Sequence, residues 1–268
     1  MFRLVFKFPP TNFLGGKKRQ KESMSFKKII RNLSKKLGYD IHRYPESCER
    51  LIPHLEMMLP LHRINTVIDV GANVGQFASE VRALSREIQI HSIEPNPVIC
   101  KTLAARAAGD KRWTTHECAV GQSKGKIMLN VFASSDFSSC LPANEFGAQR
   151  FQDSLTVADT VEVELKTLDE LISSIPPTAM GSRLLLKLDT QGFDMEALLG
   201  APAVLESVHL IITEASLRPL YKDAPVFSEV FSFLENKGFL LSGFFPVTRD
   251  ENLSIIESDC VFVRANGN

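Results

Sequence analysis

A glycine-bearing turn between a strand and a helix constrains the fold of this chain more than any other feature. Residues Thr66 to Val70 are apolar apart from Asp69, and the segment from Gln76 onward repeats apolar side chains at helical spacing. A buried strand is therefore expected to lead into a helix through the loop from Gly71 to Gly75. The glycines of this loop would let the backbone come close to a ligand.

The sequence of the loop narrows the kind of ligand. It reads D-x-G-x-N-x-G from Asp69 to Gly75, so it has neither the G-x-G-x-x-G of a dinucleotide site nor the Lys-Ser/Thr of a phosphate-binding loop. Asp69 precedes the first glycine, where its charge would repel a pyrophosphate. A cationic amino acid head fits better, and S-adenosylmethionine carries both an ammonium and a sulfonium group.

A second acidic position indicates that the ligand contains a ribose. Glu94 follows the alternating strand from Gln89 to Ile93 and stands 25 residues after Asp69, one helix and one strand further along a parallel sheet. An acid at such a strand end accepts hydrogen bonds from both ribose hydroxyls. Asn96 and Pro97 then have the pattern of an N-cap and a first helical residue, so the next helix is expected to begin there.

Length and charge describe one large domain with a basic N-terminal part. The 268 residues, of which 44% are apolar, are enough to bury a sizeable core. Residues 1–50 contain 13 Lys or Arg and 4 Asp or Glu, so they carry a net charge of +9 and the rest of the chain −9. An acidic main body argues against nucleic acid as a substrate, because phosphate neutralisation dominates that affinity.

We predict three parts along the chain. Residues 1–23 combine Pro-Pro, Gly-Gly and a basic run and are expected to be a disordered leader, with Met24 as an alternative start. Residues 24–64 are expected to form a basic amphipathic helix, with its apolar face between Phe26 and Leu37, and a linker. This helix would either pack on the domain or lie on an anionic membrane surface. Residues 65–264 form the main domain.

Cysteine usage points to a reducing compartment. The five cysteines are scattered without a C-x-x-C pair, and no histidine lies at metal-ligand spacing. Buried, reduced thiols in a cytoplasmic protein are therefore expected, without a structural zinc site.

The remaining pattern alternates strands and helices and closes on two consecutive strands. One buried strand ends at Asp189 and the next at Glu214. A polar segment at 133–158 is expected to be a long functional loop beside a small antiparallel insert. The predicted strands in this part are Trp113 to Val120, Lys126 to Phe132, Thr160 to Lys166, Leu184 to Leu188, Val208 to Thr213, Phe239 to Phe245 and Ile255 to Val263.

Several segments resemble the FkbM-type methyltransferases. They read V-I-D-V-G-A-N-V-G, S-I-E-P-N-P, E-C-A-V-G, T-L-D-E-L, L-K-L-D-T-Q-G-F-D-M-E-A-L-L-G-A and I-I-T-E-A. The similarity covers about residues 65–264, and L-K-L-D-T-Q-G-F-D is its most specific part. It implies a Rossmann-like class I methyltransferase fold, an α/β architecture whose mostly parallel seven-stranded sheet has helices on both faces and a small antiparallel insert.

The resemblance also implies a reaction and a set of site residues. Members of the family transfer a methyl group from S-adenosylmethionine, mostly to hydroxyl groups of sugars, glycans and natural products. By position, Glu94 would bind the ribose and the Cys118-Ala119 turn the adenine edge, with Asn96 beside the ribose. The methionine part would be lined by Asp69, Gly71, Asn73 and Gly75.

Asp189 is the predicted catalytic residue. It would face the transferring methyl group and accept the proton of the acceptor hydroxyl. The structural alternative is that an Asp at the start of a strand-to-helix turn caps backbone amides. Glu214 has the same position one strand over and is more often structural. Asp194 stands where the family usually has Glu, so its carboxylate reaches one methylene less far.

Two other functions stay open at this level. A nicotinamide-dependent oxidoreductase would share the strand-turn-helix start, but the G-x-G-x-x-G is missing. A catalytically silent binding module on the same fold is the second, and the retained Asp69, Glu94 and Asp189 argue against it. A metal-dependent mechanism would need three oxygen ligands near the acceptor, and only Asp189 and Asp194 are candidates, so no metal is predicted.

Overall fold

Strands and helices alternate along most of the chain, as the sequence pattern predicts. The computed structural model describes residues 50–265, so the predicted leader and the predicted helix around Phe26 to Leu37 lie outside the described residues. The elements are α1 (Leu51–Leu61), β1 (Thr66–Val70), α2 (Gln76–Leu84), β2 (Gln89–Ile93), α3 (Pro97–Ala107), β3 (Trp113–His116), β4 (Ala119–Val120), β5 (Gly125–Phe132), α4 (Glu145–Phe151), β6 (Val157–Lys166), α5 (Leu168–Ser173), β7 (Leu184–Leu188), α6 (Asp194–Leu199), α7 (Pro202–Ser207), β8 (Val208–Ser216), α8 (Phe227–Asn236), β9 (Phe239–Arg249) and β10 (Ile255–Arg264).

The main sheet has seven strands in the order β3-β2-β1-β7-β8-β10-β9. The neighbours from β3 to β8 are parallel, whereas β10 is antiparallel to both β8 and β9. The predicted mostly parallel seven-stranded sheet is thus confirmed, and the protein has the class I methyltransferase fold. Because β1, β2, β7 and β8 run in one direction, their carboxyl ends meet at one edge of the sheet.

Helices cover both faces of this sheet, as predicted. Apolar side chains of α1, α2 and α3 pack with Val67, Ile90 and Leu185 on one face. Side chains of α5, α6, α7 and α8 pack with Ile68 and Leu186 on the other. The central strand β7 is apolar at every position but one, which is typical of a strand that is buried on both faces.

A second, three-stranded sheet in the order β4-β6-β5 forms the insert. The predicted antiparallel pair is confirmed as β5 and β6. The single strand predicted from Trp113 to Val120 is wrong in one respect, since the chain leaves the main sheet after His116 and its continuation, β4, pairs with β6 instead.

The segment at 133–158 contains more regular structure than its polar composition suggests. It includes α4 and two 3-10 turns, Ser135–Phe137 and Gln152–Leu155. Phe137, Phe146 and Phe151 from this segment pack with Phe132 and Tyr221 in a small separate core. These aromatic side chains explain why the segment folds, because they bury large apolar surfaces.

The stretch predicted as a linker contributes a helix to the fold. In α1, Leu55, Met58 and Leu59 are buried against the main sheet. His54 is also buried, and its Nε2 lies 3.1 Å from the Ser242 hydroxyl of β9. Among residues 50–265, none of the helices has the length and apolar character needed to cross a membrane.

Candidate cofactor and acceptor site

A cavity of about 510 Å³ lies at the carboxyl ends of β1, β2, β7 and β8. Its walls include residues 71–73 of the glycine turn, the ends of the four strands, part of the insert and the start of β10. The volume falls within the range of about 300 to 1,000 Å³ that is usual for binding sites of small molecules and cofactors. The strand ends, and the motifs predicted there, therefore converge on one site.

The glycines of the turn serve close backbone packing. Gly71 has φ +74°, and a side chain on it would collide with the backbone carbonyl of Asp189. Gly75 has φ +84°, and its Cβ would lie 2.8 Å from atoms of Leu103 and Trp113. Gly71 lines the cavity, but Gly75 does not, so the structure places only the first of these two predicted residues in its wall.

Glu94 lies in the cavity wall and is held from both sides. Its Oε2 accepts a hydrogen bond from the Asn73 backbone N–H at 2.9 Å, and its Oε1 accepts one from the Asn96 N–H at 2.9 Å. Each carboxylate oxygen has a second lone pair left for a ligand hydroxyl. Burial raises the pKa of Glu94 to about 7, although both backbone hydrogen bonds oppose this shift.

Asn96 lines the cavity, and its side chain caps α3 as predicted. Its Oδ1 accepts hydrogen bonds from the backbone N–H groups of Val98 at 3.0 Å and Ile99 at 3.4 Å. Pro97 is the first residue of the helix, where no N–H is needed. Asn96 therefore positions Glu94 through its own backbone N–H.

Asn73 presents an unused acceptor to the site. Its Nδ2 donates a hydrogen bond to Asp136 Oδ1 at 2.7 Å. Its Oδ1 is buried and has no hydrogen-bond partner within residues 50–265. A buried acceptor without a partner is costly, so a ligand with N–H donors, such as the ammonium of a methionine group, fits this position.

Part of the cavity wall is apolar. Cys118 and Ala119 are both buried and line it, together with Ile93, Ile99 and Leu129. Burial raises the pKa of the Cys118 thiol to about 11, so this side chain is neutral at physiological pH. The surface suits an apolar, flat group such as adenine.

Asp69 does not reach the cavity, contrary to the position expected from the turn motif. It is completely buried, where its Oδ1 lies 3.5 Å from Lys187 Nζ and its Oδ2 accepts a hydrogen bond from the Ser92 hydroxyl at 3.3 Å. Burial raises the pKa of Asp69, and the charge of Lys187 opposes that shift. Asp69 is thus an internal ion-pair partner beneath the turn.

Asp189 lies in the cavity wall with two donors already bound. Lys187 Nζ lies 3.1 Å from Oδ2, and Gln191 Nε2 donates to Oδ1 at 3.0 Å. The same Gln191 nitrogen donates to Glu214 Oε2 at 2.9 Å. Its Oε1 lies 2.9 Å from the Tyr221 hydroxyl.

Asp194 has a structural role. It is 2% exposed and accepts hydrogen bonds from the Thr190 N–H at 2.8 Å and from the hydroxyls of Thr190 and Thr213. These contacts close the turn between β7 and α6. All its polar contacts are internal, which agrees with the shorter reach of this residue.

Residues 135–140 of the predicted functional loop also line the cavity. Asp136 binds Asn73, and the Ser139 hydroxyl donates to the Gln191 carbonyl at 2.7 Å. The Phe137 carbonyl lies 2.8 Å from the Tyr221 hydroxyl. The loop is therefore bound both to the glycine turn and to the turn that carries Gln191.

Several acidic residues of the site were not singled out from the sequence. Burial raises the pKa of Glu257 to about 7 and that of Asp259 to about 6. Lys187 is the one basic side chain in the wall, as far as residues 50–265 show. The carboxylates in the wall are Glu80, Glu94, Asp136, Asp189, Glu214, Glu257 and Asp259. In the described part of the chain, no group of three or more His, Cys, Asp or Glu side chains is arranged to hold a metal ion.

Comparison with known proteins agrees with this geometry. The model of the methyltransferase FkbM domain matches residues 69–241. The curated relative named methyltransferase sdnD, from Sordaria araneosa, is 23% identical over 203 residues, covering 69% of this chain and 74% of the relative. Methyltransferase 1 from Beauveria bassiana is 22% identical over 186 residues, covering 66% and 72%.

Solved structures with a similar fold are more distant. A putative caffeoyl-CoA O-methyltransferase from Staphylococcus aureus has 10% identity and a TM-score of 0.43, with 92% of this chain and 98% of that chain covered. The precorrin-6y C5,15-methyltransferase from Geobacter metallireducens has 12% identity and a TM-score of 0.42, covering 79% and 87%. The match to the family model spans more than half of the sequence, and the chain therefore belongs to the FkbM methyltransferase family.

Proposed function

We propose that this methyltransferase uses S-adenosylmethionine and transfers the methyl group to a hydroxyl of a sugar, glycan or natural-product acceptor. The observation that carries the proposal is the Glu94 carboxylate, fixed by two backbone N–H groups and turned toward the cavity. A rigidly held carboxylate at this strand end can accept hydrogen bonds from the two hydroxyls of a ribose. When bound, S-adenosylmethionine supplies the methyl group on a positively charged sulfur.

The charge of the cavity supports a cationic ligand. Its wall holds seven carboxylates, while the ammonium of Lys187 is already paired with Asp69 and Asp189. Such a site attracts a sulfonium and an ammonium group, and it would repel the pyrophosphate of a nicotinamide dinucleotide. This favours the methyl donor over the alternative of an oxidoreductase.

The acceptor would bind beside Asp189. The catalytic contribution of the chain is to hold the acceptor oxygen in line with the methyl group, since near-attack positioning supplies several kcal/mol, about 7 to 11 in favourable cases. Asp189 can accept a hydrogen bond from the acceptor hydroxyl on a lone pair that Lys187 and Gln191 leave free. The 135–140 loop would shape the acceptor pocket.

Titration calorimetry with S-adenosylmethionine and with S-adenosylhomocysteine tests the cofactor assignment. Hydrogen bonds to a charged group contribute about 1.5 to 3 kcal/mol, so Glu94→Ala should weaken binding about 10- to 150-fold. Glu206→Ala, which removes an exposed carboxylate of α7 outside the cavity, serves as the matched control and should bind as wild type does. Absence of heat with either ligand in the wild type, or unchanged affinity in Glu94→Ala, contradicts the proposal.

The acceptor class is tested by following the formation of S-adenosylhomocysteine with a panel of monosaccharides, sugar nucleotides and polyols. We expect turnover with at least one hydroxyl acceptor and none with NADH as a redox partner. Methylation of amines or carbon acceptors alone would refute the hydroxyl assignment while leaving the methyltransferase assignment intact.

A further inference from the structure

We propose that Glu214 takes up the proton of the acceptor hydroxyl, while Asp189, paired with Lys187, orients that hydroxyl. The inference deepens the proposed function and rests on it. It also assigns to Glu214 the proton that the sequence pattern assigns to Asp189. Two independent features of the site lead to this division of roles, namely a shared amide donor and an unequal distribution of charge.

The first feature is the amide of Gln191, which joins the two carboxylates. Asp189 Oδ1 and Glu214 Oε2 lie 3.0 Å and 2.9 Å from the same nitrogen, so the two oxygens are within about 6 Å of each other. Both carboxylates also line the cavity, so an acceptor hydroxyl bound beside this amide lies near both of them. Tyr221 lies on the other side of this amide, with its hydroxyl 2.9 Å from Oε1 of Gln191 and 2.8 Å from the Phe137 carbonyl.

The second feature is that, within residues 50–265, a lysine pairs with Asp189 but not with Glu214. Lys187 Nζ lies 3.1 Å from Asp189 Oδ2 and has little exposure, 11% of its side chain. Asp189 therefore already shares its charge with a fixed cation, which suits a group that orients the acceptor hydroxyl by a hydrogen bond. Among the ion pairs found within residues 50–265, none includes Glu214.

The neighbours of Glu214 are instead negative. Asp259 is its register partner across the β8–β10 pair, and Glu257 lies two residues earlier on β10. Burial first, then the charges of Asp189, Glu257 and Asp259, raise the pKa of Glu214 well above its usual value. Glu214 lies among acids and Asp189 beside a cation, so Glu214 is the member of the pair suited to carry a proton.

The sulfonium charge of the methyl donor would act on the protonation of Glu214. A cation in the cavity favours the ionised form of Glu214, and a neutral thioether favours the protonated form. In the transfer step, the acceptor O–H bond breaks and its proton goes to Glu214. An electron pair of the oxygen forms the bond to the methyl carbon, and the carbon–sulfur bond breaks with its pair left on sulfur. The site thus loses one positive charge on sulfur and one negative charge on Glu214 in the same step.

Proton counting during ligand binding tests this inference without any acceptor. Calorimetry in buffers with different ionisation enthalpies gives the protons released when S-adenosylmethionine or S-adenosylhomocysteine binds. Near pH 7, we expect the sulfonium ligand to release up to about one proton more than the thioether, by linkage between charge and protonation. Protons linked to Glu94 and the ribose cancel in this difference, because both ligands carry the same ribose.

Variants identify the group responsible. Glu214→Gln should abolish the difference in released protons, and the exposed control Glu206→Gln should keep it. Asp189→Asn and Glu257→Gln remove charges that raise the pKa of Glu214, so they should reduce the difference without abolishing it. Glu214→Asp keeps a carboxyl group and should keep the difference as well. A difference that persists in Glu214→Gln, that disappears in Glu257→Gln, or that is absent from wild type while both ligands bind, overturns the inference. Failure of both ligands to bind would instead contradict the proposed function.

The same variants give a kinetic readout with any acceptor found in the panel. Glu214→Gln should lower turnover by at least about 10²-fold while the affinity for S-adenosylhomocysteine stays within a few-fold, as for the loss of a general base. Full turnover of Glu214→Gln would overturn the assignment. The melting temperature of each variant, measured with S-adenosylhomocysteine, shows whether it is folded.

Discussion

Replacing Lys187 by Met should destabilise the protein strongly, because this lysine neutralises two carboxylates from neighbouring strands. Its Nζ lies 3.5 Å from Asp69 and 3.1 Å from Asp189, and Asp69 has no exposed surface. Burial alone would lower the pKa of Lys187, but Asp189 and Asp69 raise it above its usual value, so the lysine stays charged. Met keeps most of the side-chain volume and removes the charge.

The expected loss of unfolding free energy arises because Asp69 would be left buried without a cation beside it. Removing one partner of a buried ion pair costs about 3 to 5 kcal/mol, since the remaining charge has no compensation. A domain of this size loses about 2 to 4 °C of melting temperature per kcal/mol, so calorimetry or circular dichroism should show a decrease of about 6 to 20 °C. Lys126→Met is the matched control, because the Lys126–Glu162 pair on the insert is exposed and should leave the melting temperature nearly unchanged.

The sign of the pH dependence separates this mechanism from a simple packing defect. Burial raises the pKa of Asp69 even in the presence of Lys187, and loss of the lysine charge should raise it further. The folded variant then holds a proton that the unfolded chain has released, so its deficit should shrink as the pH falls and grow as the pH rises. Adding Asp69→Asn should recover part of the loss. Equal melting temperatures for Lys187→Met and Lys126→Met, or a deficit that is independent of pH, would refute the reasoning.

Three further outcomes are expected. Affinity for S-adenosylhomocysteine should fall as the pH decreases below about 7, because burial raises the pKa of Glu94 to about 7 and the protonated carboxyl accepts fewer hydrogen bonds. Calorimetry on Glu94→Gln should show that this part of the pH dependence is gone. Asp189→Asn should keep that affinity within a few-fold but lower turnover at least about 10²-fold, since the acceptor oxygen is no longer oriented, and a chelator should leave wild-type turnover unchanged. A chain that begins at Met24 should match the full chain in melting temperature and turnover. If Phe26 to Leu37 pack on the domain, a chain that begins at Tyr44 should have a lower melting temperature. Equal melting temperatures of all three chains would exclude such packing.

The part of the site that we assign to the cofactor could be located from the sequence because its signals are local. The strand β1, the turn after it and the acid at the end of β2 follow one another within 30 residues, and each has its own pattern. The cap at Asn96 is equally local and was predicted at the residue where it occurs. The position of Glu94 at the site can be predicted from the order of the parallel strands alone.

The part that we assign to the acceptor could not be located in the same way, because its residues meet only through the order and direction of distant strands. Lys187 interrupts an apolar strand, and nothing in its neighbourhood indicates that β1 places Asp69 beside it. Glu257 becomes a wall residue only because β10 runs antiparallel to β8. The role of Asp69 also depended on this tertiary pairing, since the turn motif alone suggested contact with the ligand.

The reversed direction of β10 has a consequence for how such a protein diversifies. The last residues of β9 and the first residues of β10 reach the cavity, including Val247, Thr248 and Glu257, and a short turn connects the two strands. Insertions or substitutions in this hairpin would change the part of the cavity wall near Glu214 and leave β1, β2 and the cap at Asn96 unaltered. Under the proposed function, changes in this one surface hairpin would alter acceptor preference and leave the residues assigned to the methyl donor in place.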